Sequence, residues 1–383
     1  MHPSHLNHLS TPCLILEEKA LDRNLTRMSQ RALDGGVDLR PHCKTAKCIE
    51  VAQRATAPHS GAIAVATLKE AEYFAAHGFT DILYTVNIEP SKLPRVSKLQ
   101  EQGVRMSAVL DSVAGAQLLA SAQDCLAQPL ELFLEMDSGT HRTGFAPGDG
   151  EVLEAARLVH GAPKLTLRGT LAFGGKGYIA DAIEDTRIAA EAERISAVDA
   201  AVRIRAGGWK CPTVSIGSTP TRTFGTSLEG VNEIRPGVYV FMDLMQVKLK
   251  VCDYTDIAVT VLARVIAHNH RENRAYIDAG ALALSNDPGI RPPSGPYAPY
   301  GLLRDQETGS PIEGLGVFNV NQEHGFVQCA DGDRPFPFDD FPLGTLVRVF
   351  PNHVCHTIGS HDRYHVIDGA GKVTDEWARV TGW

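Results

Sequence analysis

From position 37 to position 241 the chain alternates short apolar runs of β type with stretches of helical periodicity, and this alternation restricts the fold more than any other feature. The β runs are 37–42, 62–66, 81–85, 105–110, 130–136, 165–173, 213–216 and 233–241. Helical patterns fall between them, at 68–77, 90–102, 112–123, 151–159 and 183–205, and Gly78 stops the first of these. A strand followed by a helix and then another strand builds a parallel sheet. Eight such strands in roughly 210 residues fit an α/β fold of the (β/α)8 (TIM) barrel type. An open doubly wound sheet is the alternative. The count of eight, and the absence of a Gly-x-Gly-x-x-Gly turn after the first strand, favour the barrel.

Beyond about position 246 the pattern changes. Short β runs at 247–251, 257–267, 274–277, 325–329 and 346–350 are separated by Gly, Pro and Asp clusters, which predicts an all-β domain. The expected domains are therefore a barrel over 17–245 and a β domain over 246–383. The isolated extended run 11–16 is expected to pair with the latter. The net charge of −8 argues against a nucleic-acid or anionic-membrane binder. No apolar stretch is long enough to span a bilayer, and residues 1–10 lack the apolar core of a secretory signal. A cytoplasmic protein is expected. The eight cysteines are scattered without a CxxC pair, so a disulfide framework is not expected.

In a barrel the chemistry gathers where the strands end. The first strand ends in Arg40-Pro41-His42-Cys43-Lys44-Thr45, which places a lysine at a strand terminus. Such a lysine, partly withdrawn from water, serves as a base or a Schiff-base amine. The fifth strand ends in a Gly-punctuated loop carrying Arg142, and the sixth in Gly174-Gly175-Lys176-Gly177-Tyr178. The seventh ends in Gly217-Ser218-Thr219, whose backbone N–H groups and hydroxyls suit a phosphate. Tyr239, on the eighth, could reach the same phosphate. A lysine, an arginine, tyrosines and a phosphate cradle together suit pyridoxal 5′-phosphate (PLP). Separately, His353-Val354-Cys355 reads as an extended segment with both donors on one face, and imidazole plus thiolate is a zinc-type donor set.

These residues, with Thr67-Leu68-Lys69-Glu70, His141-Arg142-Thr143-Gly144, Glu233-Ile234-Arg235-Pro236-Gly237 and Asn321-Gln322-Glu323-His324-Gly325, occur in an order that resembles the fold-type III PLP enzymes, whose N-terminal domain is like that of alanine racemase. Within them the chain is most similar to the branch of D-serine dehydratase, D-threo-3-hydroxyaspartate dehydratase and D-threonine aldolase. The resemblance implies that Lys44 is the Schiff-base lysine. It places Arg142 near the cofactor ring, Tyr178 near cofactor or substrate, and Gly217, Ser218, Thr219 and Tyr239 on the phosphate. It implies a divalent metal on His353 and Cys355, zinc in the first instance and manganese or cobalt otherwise. It also implies a homodimer. Two positions depart from the pattern: Phe173 and Ala46 stand where many relatives have histidine.

The expected activity is a metal-dependent dehydratase of β-hydroxy D-amino acids. Lys44 takes the Cα proton and the β-hydroxyl leaves from a metal held by His353 and Cys355, giving a 2-oxo acid and ammonia. A D-threonine-type aldolase is the alternative. The resemblance gives aldolases His-x-Asp at this place, so Cys355 favours elimination. A non-catalytic PLP carrier is a third reading, and the C-terminal β domain argues against it. A substrate β-carboxylate would need a further cation, for which Lys176, Arg222 and Arg291 are candidates.

Overall fold

The computed structural model describes residues 5–289, 295 and 297–383. The strands among these residues are, in chain order, β1 Cys13–Glu17, β2 Asp38–Leu39, β3 Ile63–Val65, β4 Asp81–Asn87, β5 Arg105–Leu110, β6 Leu130–Met136, β7 Leu165–Ala172, β8 Thr213–Ile216, β9 Glu233–Ile234, β10 Val259–Asn269, β11 Arg274–Ile277, β12 Leu302–Arg304, β13 Pro311–Val320, β14 Gly325–Cys329, β15 Leu346–Phe350, β16 Arg363–Ile367 and β17 Val373–Ala378. The chain divides into two compact units. One comprises Arg27–Gly237 with Gly382–Trp383; the other comprises Met1–Thr26 with Val238–Thr381. Among the described residues no helix is long and apolar enough to cross a membrane.

The first unit is the expected α/β barrel. Its eight strands are parallel in the order β2-β9-β8-β7-β6-β5-β4-β3, and a parallel bridge between His42 and Ala64 joins the two ends. Ala64, Leu83, Val109, Phe133 and Leu171, from five consecutive strands, pack together inside it. The helices that begin at Leu68 and Val113 start where the sequence supplies a cap: Thr67 accepts from the Glu70 N–H and Ser112 from the Gly115 N–H. The first strand is shorter than its apolar run, and no helix follows Lys44 directly. Lys47 takes a left-handed φ of 51° and Cys48 is extended, so the helix begins only at Ile49.

The short β2 is held by a side chain as much as by its ladder. Arg40, 2% exposed, sends Nε to both Glu233 oxygens at 3.1 and 3.0 Å and Nη1 to Asp81 at 2.7 Å and the Ile63 carbonyl at 3.3 Å. One guanidinium thus ties β2 to β9, β3 and β4 at the closing seam. Burial opposes its charge, but Glu233 and Asp81 outweigh that and hold its pKa above the usual range. Removing one partner of a buried pair costs about 3–5 kcal/mol, because the other is left uncompensated. Arg40→Met is expected to lose stability of that order by denaturant unfolding; a loss under about 1 kcal/mol, typical of an exposed ion pair, would contradict the role given to Arg40.

Among its described residues the second unit is built on β strands, apart from the start of the helix Glu18–Asp34 and short helical turns. Its sheet runs β11-β14-β13-β12-β15-β10-β1-β16-β17, and β10 also pairs with β11, so six of its strands close on themselves. β1 inserts between β10, antiparallel, and β16, parallel. The run predicted as a strand at 247–251 is instead the end of the helix Leu244–Lys248 and its exit turn. Asp243 decides this locally, because its carboxylate accepts from the Gln246 N–H at 3.0 Å and caps the helix.

Candidate functional site

At the C-terminal ends of the barrel strands, three of the residues singled out from sequence surround one aromatic ring. Lys44 Nζ lies 5.9 Å from the Phe173 ring centroid and Arg142 Cζ lies 5.1 Å from it. Tyr178 stacks on the same ring at 6.1 Å with an interplanar angle of 28°. Lys44 is exposed, which corrects the expectation of an amine withdrawn from water. Its backbone is fixed nonetheless. The Cys43 N–H donates to the Ala64 carbonyl at 2.8 Å, and the Lys44 N–H donates to His42 Nδ1 at 3.3 Å. His42 Nε2 pairs with Thr85 Oγ1 at 3.0 Å. Burial, then the charges of Lys44 and Arg235, push His42 well below its ordinary pKa, so it stays neutral.

Two loops carry the other members. Asp137 accepts from the Gly139 and His141 N–H groups at 2.7 and 3.1 Å and so folds the 137–144 loop back on itself. A Cβ at Gly144, whose φ is 109°, would lie 2.5 Å from the Asp137 nitrogen, so only glycine fits. Ser138 Oγ donates to the Phe173 carbonyl at 2.7 Å and locks this loop to the 173–178 loop. Lys176 lies across Gly139, exposed, on the same rim as Arg142. Arg222 does not join them. It is buried and paired with Glu193 at 3.0 Å, which removes it as a cation for substrate. Arg291 lies outside the described residues.

The Gly217-Ser218-Thr219 turn is formed, but not with every group turned outward. Gly217 approaches the β9 exit so closely that a Cβ would lie 2.5 Å from the Arg235 nitrogen. Ser218 Oγ accepts from the Thr221 N–H, touches Thr221 Oγ1 at 2.8 Å and reaches the Gly174 carbonyl at 3.1 Å. The serine hydroxyl, like the Gly217 N–H that goes to Glu193 Oε1 at 2.8 Å, is therefore used within the fold, and the rest of the backbone is what the turn offers a phosphate. Tyr239 belongs to the other unit, in the turn Val238–Val240, and is fully buried. An amine beside an aromatic face and a guanidinium, with a Gly-Ser-Thr turn on a neighbouring strand end, is a donor set that fits PLP.

In the β unit, His353 is extended but Val354–Thr357 is a single helical turn, so the expected strand geometry of His353 and Cys355 does not hold. The turn brings His356 alongside His353, with ring centroids 4.3 Å apart. Both Nδ1 atoms meet Asp287 Oδ2, at 2.8 and 2.9 Å. Among the described residues Asp287, His353 and His356 form a group whose donor atoms all lie within 4.8 Å of one another. Burial opposes the Asp287 charge, but the Gly289 N–H and His353 overcome it and lower the pKa. An ionised carboxylate only accepts, so His353 donates from Nδ1, which leaves Nε2 as the nitrogen at which a cation would replace a proton.

Burial also opposes a charged His353, yet the hydrogen bond and charge of Cys355, then Asp243 and Asp287, push it up to about 10. Such a surplus of negative donors suits a divalent cation, and thiol, imidazole and carboxylate suit a borderline-soft one. Asp243 anchors the segment from below: fully buried, it accepts from the Val354 N–H at 3.0 Å. Neither Asp287 nor Asp243 stood out in the sequence.

The sequence matches the family described as "Alanine racemase, N-terminal domain" over residues 16–245 and the "Putative serine dehydratase domain" over 258–367. It is 39% identical to the D-threo-3-hydroxyaspartate dehydratase of Delftia sp. (strain HT23), over 98% of each chain. The solved structure of that enzyme superposes with a TM-score of 0.95 over 100% of each chain. A solved variant of an enzyme of that name, with a cysteine replaced by alanine, is described as the metal-free form and superposes at 0.94, with 39% identity and 100% of each chain covered. The D-serine dehydratase of Dictyostelium discoideum is 30% identical over 99% of this chain and 98% of its own. The D-threonine aldolase structure from Filomicrobium marinum is 25% identical with a TM-score of 0.81, covering 98% of this chain and 96% of that one.

Proposed function

The chain belongs to the alanine racemase N-terminal domain family of fold-type III PLP proteins, and on that premise we propose that it dehydrates β-hydroxy D-amino acids, D-threo-3-hydroxyaspartate ahead of D-serine, to a 2-oxo acid and ammonia. The observation that carries the reading is the cluster of Asp287, His353 and His356, with the Cys355 thiol acting on His353 beside it. Proton removal at Cα needs no such set, whereas hydroxide is a poor leaving group near neutral pH without one.

In this proposal Lys44, Arg142, Tyr178, Gly217, Ser218, Thr219 and Tyr239 hold PLP, and His353 and Cys355 hold the metal, zinc before manganese or cobalt. When bound, PLP supplies a sink for the electrons left at Cα and the cation supplies Lewis acidity at the β-hydroxyl. The chain supplies the rest. The Lys44 amine takes the Cα proton. Phe173, with Arg142 and Tyr178 on it, gives the reacting carbon an apolar floor that limits access of water. Asp287 fixes the His353 tautomer and ring orientation. Loss of the proton and of hydroxide leaves an enamine, which tautomerises and hydrolyses in water to the 2-oxo acid and ammonia. The protein acts as a homodimer in this proposal.

Incubation with D-threo-3-hydroxyaspartate, D-serine and D-threonine tests the reading; 2-oxo acid should form fastest from the first. The exposed rim cations Lys176 and Arg142 favour the substrate with a second carboxylate. Asp287→Ala is expected to weaken metal binding about 10–100-fold, the usual cost of removing a carboxylate that orients a ligating histidine. Zinc titration with a competing chelator measures this, and an unchanged affinity would remove Asp287 from the site.

A further inference from the structure

We propose that Glu193 is a positioning residue for the cofactor phosphate, setting the 217–219 turn before any ligand arrives; this rests on the PLP reading above. Glu193 lies in the middle of the helix Ile183–Ala206 and is completely buried. A buried carboxylate is costly unless its acceptor sites are filled. Here they are filled from two different loops. Oε1 accepts the Gly174 N–H at 2.6 Å and the Gly217 N–H at 2.8 Å. Oε2 accepts Thr221 Oγ1 at 2.8 Å and Arg222 Nη2 at 3.0 Å.

The network then closes on itself. Thr221 Oγ1 touches Ser218 Oγ, and Ser218 Oγ reaches the carbonyl of Gly174, whose own N–H goes to Glu193. The fit leaves no slack: a Cβ on Gly174 would lie 2.6 Å from Thr221 Cγ2 and 2.8 Å from Glu193 Oε2. The exit of β7, which carries Phe173 and Tyr178, and the exit of β8, which carries the phosphate turn, are thus held by one carboxylate. Arg222 cancels its charge, so it orders the turn without repelling an anion. Donors fixed in advance bind an anion without the cost of ordering them at the moment of binding.

A carboxylate that only stabilised the fold would not change the preference for a phosphorylated ligand. The test therefore compares PLP with pyridoxal, which forms the same bond to Lys44 but lacks the phosphate, by titrating the apoprotein and following the visible absorbance. Glu193→Gln should lower PLP affinity about tenfold or more and pyridoxal affinity less than about twofold, since a buried amide cannot accept from all four donors. The substitution also frees the Arg222 charge, so an effect of charge alone would raise PLP affinity. A PLP-to-pyridoxal affinity ratio that is unchanged, or that rises, overturns the proposal, as does an equal loss for both ligands. Should Glu193→Gln not fold, Thr221→Val cuts the link between Ser218 and Glu193 alone. It is expected to lower the ratio about threefold, and an unchanged ratio overturns the proposal in the same way. A wild-type apoprotein that binds PLP no better than pyridoxal overturns the cofactor reading itself, before any variant is compared.

Discussion

Lys44→Ala is expected to remove the visible absorbance of the cofactor-loaded protein and to lower turnover by at least about a thousandfold. The amine has two tasks in this account, attachment of the cofactor and removal of the Cα proton, and a positioned base alone contributes on the order of 10²–10⁴-fold. The nearest ring nitrogen does not take over. His42 is held between the Lys44 N–H and Thr85 Oγ1, and burial keeps its basicity far below that of an ordinary imidazole. The β2 seam depends on Arg40 rather than on the Lys44 side chain, so the variant should keep its fold and melting temperature. Lys44→Arg should be as inactive as the alanine variant, because a guanidinium does not lose its proton in this range. Retention of the visible absorbance in Lys44→Ala would show that another amine holds the cofactor.

Loss of the metal should be nearly as damaging but should leave a different spectrum. Exhaustive chelation, or Cys355→Ala combined with His353→Ala, is expected to lower dehydration at least about a hundredfold, the scale on which loss of charge stabilisation at a leaving oxygen acts. The visible absorbance should persist, because in this account Lys44 attaches the cofactor and neither His353 nor Cys355 is among the residues that hold it. Exchange of the Cα hydrogen with solvent should also persist, since Lys44 performs that step alone. Restoring zinc should restore the chelated wild type and not the double variant. Full dehydration activity after complete chelation would contradict the role given to His353 and Cys355.

The parts of this protein that were legible in the sequence are those where local pattern and tertiary role agree. The βα alternation gave the barrel because each strand run is apolar enough to be buried on both faces. Lys44, Arg142 and Tyr178 stood out because each sits at a strand exit, and the fold gathers them on Phe173. The 247–251 run was misread because its Val and Leu content suits a strand, while the cap from Asp243 imposes a helical turn. His353 and Cys355 stood out by residue type, but the local geometry did not, since the helical turn at Val354 depends on Asp243 accepting its N–H. Asp287 reaches His353 across 66 residues and has no spacing signal. Glu193 looks like one more charge in a charged helix, Glu191 to Arg194, until the β7 and β8 loops close over it.

The central claim is elimination rather than carbon–carbon cleavage, and one product assay separates the two. D-threo-3-hydroxyaspartate given to the zinc- and PLP-loaded protein should yield oxaloacetate and ammonia in equal amounts, with no glycine. Glycine and glyoxylate in equal amounts would instead make the protein an aldolase and contradict the account.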